Sequence, residues 1–252
     1  MFWIVQKNFI RNERDDLVNT LSRLDINYVE VNVDKNEIDI EVDSNQPIMT
    51  NGSIMLSNIA RKKNWTPGGF LNDNFSYPKW SHYYHDFLLN KNATVYKLKD
   101  TVMLEEKAFI RPILDNKSFN GRVFEKYQFL EFQKKSDHLD IDIILSLPKK
   151  IGQEHRHYIV DGKIITSSRY KLAGTPNFSE GADDRVLEVV DKAIKIWQPA
   201  RAFVLDTYIA GDEIGIVEIG GICHAGFYKA DLMSLVNALD SMDYNPKKSL
   251  KF

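Results

Sequence analysis

The sequence predicts a small α/β unit followed by a larger α+β region, and three observations carry that reading. Residues 1–62 run strand, helix, strand, strand, helix, an order suited to a partly parallel sheet. From residue 94 the chain changes to short apolar runs at intervals that suit antiparallel pairing. Residues 183–198, DDRVLEVVDKAIKIWQ, read as the clearest amphipathic helix, set between two hairpins.

Taking the elements in order, MFWIVQKNF has the aromatic and β-branched content of a strand. RNERDDLVNTLSRLD follows with Leu17, Leu21 and Leu24 at helical spacing, and NYVEVNV alternates as a second strand. QPIMTNGSIMLSNIARKK reads as a short strand, a turn at Gly52-Ser53 and a helix from near Ser53. Gly52 and Ser53 either offer backbone donors to a carboxylate or form an ordinary capped turn. WTPGGFLNDNFSYPKW (65–80) is a Pro/Gly-punctuated, aromatic-rich loop, and SHYYHDFLLN is a helix ending near Asn90. His82 and His85 have a metal-compatible spacing without a third ligand nearby, which favours surface or packing roles.

TVYKL, KAFIRPIL, RVFEKYQFLEF and DIDIILSL then read as strands, with the polar loop DNKSFNG between the second and third. EHRHYIVDGKIITSSRY (154–170) is a hairpin turning at Asp161-Gly162. In the helix after it, Val186, Val189, Val190, Ala193, Ile194 and Trp197 form one apolar stripe, with Asp183 or Asp184 as N-cap. RAFVLDTYIA and EIGIVEIGG make a final hairpin, and YKADLMSLVNALDSM a last helix. The expected units are 1–93, then 94–242 in two parts (about 94–149 and 150–242), then a fraying polar tail, 243–252.

Composition narrows the function. A chain of 252 residues with 43% hydrophobic and 12% aromatic content buries a real core. A net charge of −2 argues against a general nucleic-acid binder. The apolar start MFWIVQ gives way to Lys7, too soon for a signal peptide or a membrane span. The single cysteine, Cys223, excludes an intrachain disulfide and a cysteine zinc site, and suits a reducing cytoplasm. A soluble cytoplasmic protein with neither nucleic acid nor membrane as partner is expected.

The chemistry lies in charges on strands. Alternation puts Glu154, Arg156 and Tyr158 on one face of their strand, and His155, His157 and Ile159 on the other. Asp206 interrupts FVLDTYIA and Glu218 interrupts GIVEIGG; a turn near residue 212 sets the two carboxylates opposite each other. Two facing carboxylates either hold a hard cation such as Mg2+ or face water on an exposed sheet. Arg111, Lys117 and Arg156 add cations suited to a polyphosphate, although each alone is an ordinary surface charge. Neither GxxxxGK[ST] nor GxGxxG occurs, so the common phosphate loops are excluded.

The order of these motifs is informative: an IRP strand, a Lys/Gly loop, a hinge LSLP, then ExR…VDGK…SxxY, a helix, LD and VEIGG. It resembles the ATP-grasp superfamily, specifically the ligase-like clade frequently encoded by bacteriophages, over about residues 94–235. PIMTNGSI, WTPGGF and LLN look like the α/β domain that precedes the unit in that clade. The resemblance implies an ATP-grasp fold of two α+β subdomains after a small α/β (pre-ATP-grasp) domain, with ATP and Mg2+ bound between the subdomains.

Residue by residue, the resemblance implies that Arg111 stands where a strand lysine contacts phosphates, and that Lys117 to Gly121 close over them. Ser146 and Leu147 fall in the hinge beside adenine, Glu154 near the nucleoside, and Arg156 on the phosphate or substrate side. Arg169 adds a further contact, and Asp206 and Glu218 match the two magnesium carboxylates. Arg111, Lys117 and Arg156 would carry the catalysis. Gly220 departs from the usual Asn two residues after the second carboxylate and removes one metal ligand.

The implied activity is ADP-forming ligation of a carboxylate to an amine through an acylphosphate. The substrate would be a small molecule, peptide or protein, and a homodimer is open because relatives are often dimers. A nucleotide-binding module without turnover and a small-molecule kinase are the alternatives.

Overall fold

The computed structural model describes residues 1–35, 37–43, 45–113, 119–136 and 138–244. Its first unit runs β1 (Phe2–Gln6), α1 (Arg11–Arg23), β2 (Tyr28–Val31), β3 (Val33–Asp34), β4 (Glu37–Ile38), β5 (Ile48–Asn51), α2 (Ile54–Lys62) and β6 (Pro67–Gly68). Strands β2, β1, β5 and β6 pair in that order, all parallel. A parallel sheet needs cover on both faces, and alternation along β1 supplies the contacts. Trp3 and Val5 pack with Leu17 and Leu21 of α1, while Ile4 packs with Leu56, Ile59 and Ala60 of α2.

The helix expected over 81–90 lies earlier, as α3 (Tyr77–Tyr83), followed by a 3-10 turn at His85–Phe87. Pro78 explains the early start, because a proline's missing N–H is harmless in a first turn.

The second unit comprises β7 (Thr94–Lys97), β8 (Lys107–Pro112), β9 (Arg122–Glu125), α4 (Lys126–Lys135) and β10 (Asp142–Ser146). Its strands pair antiparallel in the order β7-β10-β8-β9. RVFEKYQFLEF, expected as one strand, is thus a short strand and the start of a helix. Glu125 and Gln128 form a reciprocal capping box, and beyond it Phe129 and Phe132 recur at helical spacing to pack beside Phe124.

The third unit comprises β11 (Gln153–Val160), β12 (Lys163–Leu172), β13 (Thr175–Glu180), α5 (Asp184–Ile196), β14 (Ala202–Ala210), β15 (Glu213–Gly220) and α6 (Leu232–Asp240). The strands form an antiparallel sheet, β13-β12-β11-β14-β15. At the β11–β12 turn, Asp161 and Gly162 have φ of 45° and 73°, as a two-residue hairpin requires. The Asp183 side chain caps α5 by accepting from the Arg185 N–H.

This sheet has two differently covered faces. On one, Ile159, Phe203, Leu205 and Ile216 pack with Val190, Ala193 and Ile194 of α5 and with Trp80 and Tyr84. On the other, Tyr158, Val160, Ala202 and Val204 pack with Leu235, Val236 and Leu239 of α6 and with Trp3 and Val5. Two-residue steps along β11 and β14 carry that second face onward from apolar core to Arg156, Glu154 and Asp206. Among the described residues no helix is long and apolar enough to cross a membrane.

Candidate active site

Asp206 and Glu218 are direct partners in the β14–β15 register. The next pair is Thr207 with Ile216, so Val217 is a one-residue bulge beside the two carboxylates. An exposed sheet face does not describe Asp206, whose side chain is only 2% exposed, whereas Glu218 is partly open at 44%. Each carboxylate faces its own guanidinium instead. Arg156 Nε and Nη2 donate to Asp206 Oδ1 and Oδ2, both at 2.8 Å. Arg111 Nη1 lies 3.5 Å from Glu218 Oε2, spanning the gap between β8 and β15.

Burial works against the charged guanidinium of Arg156, but the field and hydrogen bonds of Asp206 outweigh it and raise its pKa. Two tyrosine rings add to this, with Arg156 over Tyr170 at 5.7 Å and over Tyr228 at 5.3 Å. Tyr170, Tyr228 and Phe178 are themselves stacked in series, at 5.2 and 5.4 Å between centroids. Burial pushes the Tyr170 hydroxyl far above its ordinary range, so it stays a donor, to Glu154 Oε2 at 2.8 Å. Lys171 Nζ donates to Glu154 Oε1 at 3.1 Å.

Together these residues, Phe178 apart, line a cleft of about 490 Å³ between the second and third sheets. Arg111 and Gly121 come from one wall, and Glu154, Arg156, Asp206 and Glu218 from the other. Gly121 is required by close approach: a Cβ there would sit 2.8 Å from Arg111 Cβ. Lys117 lies outside the described residues, as do residues 245–252 of the expected tail.

Three expected contacts fall elsewhere. Arg169 pairs with His155 in register and so shares the opposite face from Glu154 and Arg156, donating to Asn177 Oδ1 instead. A register shift at Tyr170 then turns Tyr170 and Lys171 into the cleft, next door to the residue named from sequence. Leu147 is exposed beyond the end of β10, outside the cleft lining. Ser146 is buried there and reaches the lining through its hydrogen bond to Asn90 Oδ1, at 3.0 Å.

Sequence reasoning missed Tyr170, Lys171, Tyr228, Asn90 and Phe109 as cleft residues. SSRYK carried a signal for the first two, displaced by the bulge. Nothing local marks Tyr228, which follows β15 and arrives by tertiary packing.

Other candidates resolve plainly. The backbone N–H groups of Gly52 and Ser53 already donate, to Cys223 O at 2.8 Å and Gln6 Oε1 at 2.9 Å, so both are taken within the fold, and the Ser53 side chain turns to Gln6 without capping α2. His82 and His85 are exposed, and among the described residues no cluster of three or more metal-type ligands occurs. Cys223 is buried against Ser57, and burial pushes its thiol up to about 11, which makes it a packing residue.

The donor set fits magnesium. Mg2+ is commonly held by one or two carboxylates together with substrate phosphates and waters, not by a full protein cage. Glu218 is 44% exposed toward the cleft, and a carboxylate such as Asp206 keeps lone pairs beyond those given to one arginine.

No curated protein matches the chain in sequence. The structure of the D-cycloserine synthetase DcsG superposes with a TM-score of 0.64 at 12% identity, over 95% of this chain and 98% of that one. A RimK domain ATP-grasp protein from Sphaerobacter thermophilus gives 0.65 at 10% identity, over 95% of this chain and 100% of that one. The ATP-grasp ligase PsnB, complexed with a minimal-precursor variant, Mg and ADP, gives 0.58 at 12% identity, over 95% and 96%. These likenesses bear out the mixed α/β architecture expected from the motif order. The family model described as an ATP-grasp domain, clade family 3, matches residues 29–239, most of the chain, and to that family of the ATP-grasp superfamily the protein belongs.

Proposed function

We propose that the protein is an ATP-dependent ligase that joins a carboxylate to an amine, releasing ADP and phosphate. The observation that carries this is the pair Asp206 and Glu218, opposed in register and each matched by an arginine, at a cleft of about 490 Å³. That volume lies within the roughly 300–1,000 Å³ of small-molecule sites. In the reading we favour, ATP is a substrate lying between the two sheets. Magnesium, when bound, would supply charge neutralisation between Asp206, Glu218 and the phosphate oxygens.

Arg111 and Arg156 then hold the transferring phosphoryl group and orient the incoming carboxylate. A substrate oxygen forms a bond to the γ-phosphorus as the bond to ADP breaks. The amine next forms a bond to the acyl carbon of that acylphosphate, and phosphate leaves as the amine loses a proton. No protein nucleophile is needed. Glu154, held by Tyr170 and Lys171, orients the nucleoside end. The neighbours support this reading by what their names state: one is a ligase complexed with a precursor peptide, and another is a synthetase of D-cycloserine. Lys117 and Ser146 remain in the proposed phosphate loop and hinge, in a protein acting in the cytoplasm.

Gly220 favours a second reading, nucleotide binding without turnover, because glycine brings no oxygen to the metal. One experiment decides: acids and amines are screened in pairs with Mg-ATP, scored for ADP and for product mass. An amide with ADP, lost in Glu218→Ala, is the expected result. A phosphorylated product indicates a kinase, and ATP binding without ADP for any pair indicates the silent module.

A further inference from the structure

A second cavity of about 220 Å³ adjoins the cleft, and Arg111, Arg156 and Glu218 line both. Beyond that shared rim its walls are mainly apolar, with Ile54, Leu71, Phe75, Tyr77 and Trp80, and His224 stands among them. The volume falls below the roughly 300–1,000 Å³ of drug-sized sites, so it suits a side chain and not a nucleotide. Tyr77 ties the two regions together. Its ring meets Trp80 edge-on, 4.9 Å between centroids, and lies 5.5 Å from the Arg111 guanidinium.

Gly220 also lines this cavity, two residues beyond Glu218 and on the same face of β15. The fold does not force a glycine there. The backbone is extended, and a Cβ would meet one neighbour, Val204 Cγ2, at 3.3 Å, a close approach that a shift of a few tenths of an ångström in that side chain relieves. Elsewhere on β15 packing does require glycine: a Cβ at Gly215 would run into the backbone carbonyl oxygen of Phe87. At 220 the missing side chain leaves room in the cavity.

We infer that Gly220 is a specificity-determining residue, opening an apolar pocket for the side chain of a carboxylic acid substrate that bears a bulky apolar or aromatic group. This rests on the ligase reading and names its acid. The acid's carboxylate meets the Arg111–Arg156 rim by charge, and its apolar body enters between Tyr77, Trp80 and Leu71. A short acid leaves that pocket unfilled.

The test compares 3-phenylpropionate with acetate by calorimetry on the full chain, in the presence of magnesium and a non-hydrolysable ATP analogue. Tryptophan fluorescence serves as a second readout, since Trp80 forms part of the wall. The wild-type protein is expected to bind phenylpropionate at least tenfold more tightly, in line with the roughly 10–200-fold that hydrophobic pockets give per methylene. Gly220→Val is expected to bring the ratio below about threefold, with Gly220→Ala between them.

A wild-type ratio near one, no binding of either acid, or a ratio unchanged in a folded Gly220→Val protein overturns the inference. Should the valine variant fail to fold, the wild-type ratio and Gly220→Ala decide. ADP formation is scored separately. Its absence for every acid–amine pair defeats the ligase reading while the binding ratio stands or falls by itself.

Discussion

Arg156 and Asp206 stand directly opposite each other on β11 and β14 and share two parallel 2.8 Å hydrogen bonds at a site almost closed to water. A buried pair of this kind adds little net stability while intact, yet removing one partner strands the other charge. Arg156→Ala is therefore expected to cost about 3–5 kcal/mol in urea unfolding. Arg156→Lys keeps the charge but loses the fork, and should fall between the two. A loss under about 1 kcal/mol for the alanine variant would mean that water reaches Asp206 freely.

Glu218 makes the contrasting case. Its side chain is 44% exposed and its contact with Arg111 spans 3.5 Å, so Glu218→Gln should shift stability by no more than about 0.5 kcal/mol. Nucleotide binding should respond differently. With magnesium present, calorimetry is expected to give at least tenfold weaker ATP binding, and without magnesium little change. Equal weakening under both conditions would remove Glu218 from the proposed metal site.

The sequence was most legible where periodicity and turn chemistry agree. The Asp161-Gly162 hairpin, the stripe of α5 and the opposition of Asp206 to Glu218 all follow from local rules. Errors arose where two periods compete or a register slips. Phe124, Phe129 and Phe132 tolerate a strand or a helix reading until the Glu125–Gln128 capping box is weighed. The shift at Tyr170 moved the cleft contact one residue along from Arg169, and no local pattern announces a bulge. The exposed edge strand β13 lacks the apolar alternation that would have marked it. The arginine partners of the two carboxylates come from β8 and β11, distances of sequence that only the fold closes.

Gly215 tests how tightly the segment before β7 is held to the third sheet. A Cβ there would sit 2.3 Å from the Phe87 carbonyl oxygen and 2.8 Å from the Tyr208 ring, so neither a backbone nor a ring can yield cheaply. Leu89 N–H donates to Ile216 O at 2.8 Å just beside it, and this bond would be strained first. Gly215→Ala is expected to destabilise by about 1–3 kcal/mol, the usual range for overpacking. Hydrogen exchange should localise the change to the Leu89 amide. Unchanged unfolding with normal protection at Leu89 would show that the segment is loosely seated.

Stability should also fall in mild acid, through two histidines on the face away from the cleft. His157 is fully buried, with Nδ1 against Ser167 Oγ at 2.8 Å and Nε2 against Thr207 Oγ1 at 2.9 Å. Burial, with His155 adding to it, holds its pKa down to about 3, and burial with the Arg169 charge holds His155 down to about 4. In the unfolded chain both titrate near 6.5. The unfolded state thus takes up protons that the folded state refuses, so the full stability is present above about pH 6.5 and declines as pH falls. Each histidine contributes a slope of at most about 1.4 kcal/mol per pH unit. Urea midpoints between pH 7.5 and 5 isolate this effect, because most carboxylates titrate lower. His157→Gln, which keeps a polar side chain between the two hydroxyls, should roughly halve the slope, and a flat wild-type profile over that window would rule out neutral buried histidines.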